Sequence, residues 1–279
     1  MAKRLIFITI LFSLLAGCAS THSINANNSM DSVEKVQALQ ADSSAKPGSK
    51  NATAAIRYEA LKETALSTGA QAGLAYRSKQ INATLEKHAT YMDYVFNFNL
   101  LLMDHNVLPP VLVEGDNSLS LDDPTTIRIA DRTYQIVSQA RFVTTPPTWR
   151  NYLWLTYTKP QVPNNSLLPE NADERTIWKR YAAEGWQQGI IQADDMYKQN
   201  LALLKRDYTG MVRYKFLLTQ HMINAPYVAR TDLGITGGGS DMRINDQVLR
   251  ITELPSLQPD SKLWKPVISQ STQPTQEQP

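Results

Sequence analysis

Between Pro169 and Pro226 the chain runs from Asn171 to Asn224 with an apolar residue at nearly every third or fourth position. Trp178, Ala182, Trp186, Ile190, Ala193 and Tyr197 open the series, and Leu201, Leu204, Tyr208, Met211, Lys215, Leu218 and Met222 continue it. That spacing predicts helix. Asp173 and Glu174 suit its first turn, beside the positive end of the dipole. One unbroken helix over this stretch would be about 81 Å long at 1.5 Å per residue. Two helices, or a break near Gly210, fit the pattern equally. Either way, a chain with such a segment folds around long helices.

A second helical pattern begins near Ala54 and passes through Leu61, Ala65, Thr68, Ala72, Ala75, Ile81 and Leu85. Gly69 and Gly73 interrupt it four residues apart. Glycine costs helix stability, so the pair points to close contact with another helix, or to a break. Residues 91–108 are very apolar and end before Pro109-Pro110. Their length favours helix over at least the second half, with a buried strand as the rival.

The remaining segments read as β. Val111-Leu112-Val113 is a short strand that meets turn residues Gly115, Asp116 and Asn117. Residues 127–137 alternate as a hairpin partner, and residues 231–252 hold a loop and a second hairpin. Residues 149–157 are aromatic and β-prone.

Two stretches share a register. His105 lies five residues before Pro110, as His221 does before Pro226. Downstream, Arg128, Ile129, Asp131 and Ile136 have the spacing of Arg243, Ile244, Asp246 and Ile251. His105 to Arg128 is 23 residues and His221 to Arg243 is 22, which one loop deletion reconciles. The expectation is an α+β fold, predominantly helical, with a small antiparallel sheet of two hairpins from an internal duplication. Ile129, Ile136, Ile244 and Ile251 would point inward, with Asp131 and Asp246 in equivalent turns.

The N-terminus has a different character. Lys3 and Arg4 precede an apolar run, Ile6 to Ala16, closed by Gly17 and Cys18, the only cysteine of the chain. Charge, apolar stretch and small residues in that order make a secretory signal segment. The run is about half the roughly 20 residues that a spanning helix needs. Leu15-Ala16-Gly17-Cys18 resembles the bacterial lipobox. By that resemblance the chain is cut before Cys18, whose sulfur receives a diacylglycerol and whose amine is then acylated, with palmitate as a typical chain. Two or three chains give stable anchoring, at about 0.8 kcal/mol per buried CH₂. Ala19 after the cysteine matches the outer-membrane address, on the periplasmic face. The expected organisation is 1–17 signal peptide, 18–53 flexible tether, 54–265 a single helical/β periplasmic domain and 266–279 a disordered tail.

Lys and Arg number 28 and Asp and Glu 26, so charge gives no case for direct nucleic-acid binding. The four histidines, His22, His88, His105 and His221, show no zinc spacing, and Gly237-Gly238-Gly239 lies in neither a phosphate loop nor a dinucleotide fingerprint. No catalytic residue, metal or cofactor is expected. Five tryptophans and twelve tyrosines suit a core or an interface. Trp149, Tyr152, Trp154 and Tyr157 form the densest cluster. In a strand Tyr152 and Trp154 would share one side, which makes them the candidate partner contact.

Four strings together, at 60–82, 95–115, 127–155 and 227–252, resemble the DotC family of lipoproteins from type IVB secretion systems and I-type conjugative plasmids. The resemblance spans roughly 55–265 and joins the lipobox. It implies a structural lipoprotein of the outer-membrane core complex. Its implied partners are a DotD-like lipoprotein and a DotH-like outer-membrane protein, which the lipoproteins help to place in a ring. Cys18 is the one functional position carried over. The other readings are a free-standing periplasmic binding lipoprotein and, less favoured, an envelope hydrolase.

Overall fold

The stretch between Pro169 and Pro226 is one continuous helix in the computed structural model, which describes residues 30–41 and 53–265. The helices in chain order are α1 (Val33–Gln37), α2 (Thr53–Lys87), α3 (Ala89–Val95), α4 (Trp149–Leu153) and α5 (Ala172–Thr219). The strands are β1 (Val107–Leu108), β2 (Val111–Asp123), β3 (Thr126–Ser138), β4 (Arg141–Phe142), β5 (Tyr227–Gly237) and β6 (Met242–Glu253). The α+β class holds, with long helices and small antiparallel sheets. At 48 residues α5 is about 72 Å long. Asn171 starts it by accepting the Glu174 N–H at 2.9 Å. At its end His221 takes φ 57°, its N–H reaches Leu218 O, and the Met222 N–H reaches Leu217 O. That double bond past a left-handed residue is the Schellman termination.

Helices α2 and α5 run parallel. Arg57 pairs with Glu174 near their first turns, and Arg77 with Asp194 further along. Between these pairs the backbones touch through four glycines. A Cβ on Gly69 would lie 2.3 Å from Ala182 O, and one on Gly185 would lie 2.1 Å from Leu66 O. The next pair repeats the contact: a Cβ on Gly73 would lie 2.2 Å from Trp186 O, and one on Gly189 would lie 2.1 Å from Ala70 O. Adding 116 to a residue number in α2 gives its counterpart in α5, so the contacts exchange under that shift. The helix pair is therefore an approximately two-fold crossing inside one chain. The close contact expected of Gly69 and Gly73 is present, and α5 has no break at Gly210.

The same shift relates the arms. Adding 116 to β2 numbers and 115 to β3 numbers converts the pairs Val111↔Ser138 through Asp116↔Arg132 into Tyr227↔Glu253 through Asp232↔Gln247. The rule holds again, past a register irregularity at Gly234 in the second hairpin, for Leu119↔Ile129, Ser120↔Arg128 and Leu121↔Ile127, which become Ile235↔Ile244, Thr236↔Arg243 and Gly237↔Met242. It holds for the return crossing as well: Val107↔Phe142 becomes the isolated bridge Ile223↔Leu257. His105 and His221 both adopt left-handed φ, 60° and 57°. The body is thus two helix-plus-hairpin units.

Several expectations are corrected. The hairpins do not join in one sheet; β2–β3 and β5–β6 are separate two-stranded ribbons. Asp131 and Asp246 lie in strands β3 and β6, not in turns. Ile129 and Ile244 are exposed and Ile136 and Ile251 half-buried, because only the base of a long ribbon has a core to face. Gly115 to Asn117 is no turn: β2 passes through it in unbroken register with β3, although Asn117 takes φ 49°. The chain reverses at Pro124-Thr125, where the Asp123 carboxylate accepts from the Thr125 N–H and hydroxyl. Residues 231–237 are strand more than loop. Within 91–108 the helix occupies the first part, α3, and short 3₁₀ turns follow.

The core has three parts. At the N-terminal end of the helix pair, Leu61, Ala65, Trp178, Ala182 and Trp186 pack with Met30 and Val36. Residues 30–41 of the expected tether are therefore docked. The Trp178 Nε1–H donates to Val36 O at 2.9 Å, and the Gln37 amide donates to Lys179 O at 3.1 Å. The second part joins α2 and α5 to α3, α4 and the 149–155 segment through Leu85, Phe98, Trp149, Leu153 and Leu204. The third, Leu112, Tyr214, Leu217 and Ile223, seats the first hairpin on the end of α5. Gly210 lets β2 approach there, and Arg213 donates to Glu114 and to Leu112 O.

Candidate functional site

Cys18 and its signal segment lie outside the described residues, as does the 266–279 tail. Among the described residues no group of three or more His, Cys, Asp and Glu is placed to hold a metal, and no helix is long and apolar enough to cross a membrane.

The aromatic candidate segment forms a different local structure from the expected strand. Residues 149–153 are helix α4, and only 154 onward is extended. The Asn151 side chain accepts from the Thr148 N–H at 2.7 Å and from its hydroxyl at 2.9 Å, which fixes the first turn. Tyr152 and Trp154 consequently do not share a strand face. Tyr152 turns inward: its ring stacks on Phe98 at 5.9 Å, and its hydroxyl donates to Asp207 at 3.1 Å. Burial, then the Asp207 carboxylate, pushes this phenol up to about 12. Trp154 stays 43% exposed, with Tyr157 beside it at 37%. Trp149 is fully buried, and its Nε1–H donates to Asp93 at 2.6 Å. Asn82 holds the strand-like exit: its amide donates to Leu155 O at 2.9 Å and its carbonyl accepts from Leu155 N at 3.0 Å.

This geometry separates the two candidates by experiment. Tyr152→Phe removes one hydrogen bond and is expected to cost about 1 kcal/mol. Trp154→Ala is expected to stay within about 0.5 kcal/mol of the parent, as surface changes do. The raised Tyr152 pKa has a definite sign. The folded state holds the proton where the unfolded chain, near 10, has lost it. Its contribution is whole below pH 10 and falls as pH rises toward 12. Melting curves across that range should converge for parent and Tyr152→Phe.

The hairpins present the larger exposed surface. On the first, Leu119 and Leu121 of β2 face the same side as their partners Ile129 and Ile127, and all four are 54% to 71% exposed. On the second, Ile235 pairs with Ile244, and Gly237 with Met242, and the three side chains are 66% to 69% exposed. The opposite side of each ribbon is polar: Ser120 pairs with Arg128, and Thr236 with Arg243. Asp246 accepts from the Thr236 hydroxyl and so supports that polar side. Sequence reasoning missed this surface, because it assigned the tip isoleucines to the core. The alternation that carries it was visible at Ile127-Arg128-Ile129.

Residues 55–266 match the model of a protein family described as type IV secretory system, conjugal DNA-protein transfer. The chain belongs to this family. The match takes in both units of this conjugal-transfer protein, from the start of α2 to just past β6. No individual curated protein matches the chain. The family places the chain in type IV secretion and conjugation, and the two-unit body with its exposed ribbons is what that role has to work with.

Proposed function

We propose that this protein is an outer-membrane lipoprotein of a type IVB secretion or conjugation core complex, a DotC-type subunit anchored through Cys18 and facing the periplasm. It works by protein contact and not by catalysis. Together with a DotD-like lipoprotein it helps place and hold a DotH-like outer-membrane protein. The observation that carries the reading is the family match across 55–266, joined to the Leu15-to-Cys18 lipobox upstream of it. Two features of the body agree. Its helix pair is closely packed through four glycines, and a set of its large exposed apolar residues lies on the two ribbons, where partner contact would use them.

The lipid claim is tested with Cys18→Ser. Metabolic labelling with a fatty-acid analogue should mark the parent and leave the variant unlabelled, with loss of membrane retention and an unchanged melting curve for the body. Equal labelling of both chains would defeat the claim.

A further inference from the structure

Residues 30–41 lie against the N-terminal end of the helix pair, with Met30 6% exposed and Val36 fully buried. Three hydrogen bonds tie the segment to the start of α5 and the loop before it. Val36 O accepts from the Trp178 Nε1–H, the Gln37 amide donates to Lys179 O, and the Ala41 N–H donates to Pro169 O at 3.1 Å. The segment brings little structure of its own. Its helix α1 has five residues, too few to stand alone in water. Its cap is weak, with Ser32 accepting from the Lys35 N–H at 3.4 Å. The seat, by contrast, is held from the body side: Arg57 of α2 donates to Ser166 O, Leu168 O and the Glu174 carboxylate. We infer that residues 30–41 are a releasable strap that sets how far the body stands from the membrane.

Chain length gives the size of the effect. The membrane end rests on the reading of Cys18 as the lipid anchor; the docking does not. With the strap docked, 12 residues separate Cys18 from the first fixed residue, Met30. They span at most about 40 Å at 3.3 Å each. With the strap released, the first fixed residue is Thr53, 35 residues from Cys18, and the limit becomes about 115 Å. The seat of the first hairpin, at Tyr214, lies about 54 Å along α5 from Trp178. The gain on release, about 75 Å, exceeds that length. The strap therefore decides how deep in the periplasm the ribbons can make contact. Release is accessible because the docked contacts are few. Two buried apolar side chains and three hydrogen bonds are set against the lost freedom of the whole segment. The helix pair keeps its own glycine crossing in either state.

Energy transfer to a membrane reads the distance. The full-length acylated protein is placed in phosphatidylethanolamine–phosphatidylglycerol vesicles with an acceptor dye on the headgroups. A donor dye is carried on Ile56→Cys, in the first turn of α2, or on Leu119→Cys, on the first ribbon; both positions are exposed. An acylated Cys18 offers no free thiol, so each donor has one place. Transfer from position 56 should be at least twofold that from position 119, and Val36→Asp should lower it at least twofold. Equal transfer from the two positions, or no change with Val36→Asp, would overturn the inference. Met30→Asp should repeat the fall, and both variants should keep the parental helix content, because neither residue belongs to α2 or α5. Loss of helix content in both would overturn the claim that the body holds without its strap. Failure of the parent to float with the vesicles would defeat the lipid anchor and the membrane half of the inference with it. The strap is then read in Cys18→Ser, in detergent, from transfer between dyes on Ser20→Cys and Ile56→Cys. Val36→Asp should lower that transfer at least twofold, and no change would overturn the strap.

Discussion

A Gly185→Leu chain is expected to lose its folded helix pair. The Cβ alone would sit 2.1 Å from Leu66 O, 2.9 Å from its carbonyl carbon and 2.9 Å from its Cα, all backbone atoms that cannot turn aside. Relief requires α2 and α5 to move apart, and that strains the Arg57–Glu174 and Arg77–Asp194 pairs on either side. Overpacking a core usually costs about 1–3 kcal/mol. Here the obstacle is a whole helix, so a loss of about 4 kcal/mol or more is expected. Gly185→Ala should be milder, because it adds only the Cβ and no further side-chain atoms between the helices. The same order should hold at Gly73 and Gly189, whose neighbours are also backbone. Gly239→Leu is the control, since nothing lies within 4 Å of a Cβ there. Thermal and urea melts decide the matter. Equal stability of Gly185→Leu and Gly239→Leu would remove the glycine crossing as the basis of the fold.

The second large effect is expected from Trp178→Ala. Trp178 is fully buried at the N-terminal end of the helix pair, among Leu61, Ala65 and Ala182. Truncating such a side chain costs about 3–5 kcal/mol in transfer and cavity terms. It also leaves Val36 O without its 2.9 Å donor, so the α1 segment should detach first. Limited proteolysis should then cut within residues 30–41 at temperatures where the parent resists. Trp178→Phe keeps most of the volume and loses the N–H, so it separates packing from the hydrogen bond. A melt for Trp178→Ala no lower than that for Trp154→Ala would contradict the packing account.

How much of this was legible in the sequence differs from element to element. The long apolar series of α5 was legible because a helix against a helix reports its buried stripe at every turn. The His/Pro and Arg/Ile/Asp/Ile registers read out the two units, since those positions mark the left-handed residue before each arm and how its strands pair. The glycines were half legible. Gly69 and Gly73 announced a close contact, but their partners Gly185 and Gly189 emerge only when the chain is shifted by 116 residues. The tips were misread for a physical reason: apolar alternation means burial when a sheet has a core behind it, and these ribbons extend beyond theirs. The helix expected toward Leu108 failed for a local one. Asn97 accepts from Asn99 N at 3.1 Å, and such side-chain bonds compete with helical ones. The Tyr152 and Trp154 pairing rested on strand geometry and was undone by the Thr148–Asn151 start of α4.

The central claim is that this conjugal-transfer family member is a lipid-anchored subunit acting by contact within an envelope assembly. Its most direct test is the protein purified from its own host envelope in mild detergent, sized by light scattering and with its N-terminal peptide weighed by mass spectrometry. The account predicts a large, detergent-resistant complex whose chains begin at a diacylglyceryl-modified, acylated Cys18. A monomer that begins at an unmodified residue, or one that retains a small-molecule ligand through purification, would contradict it.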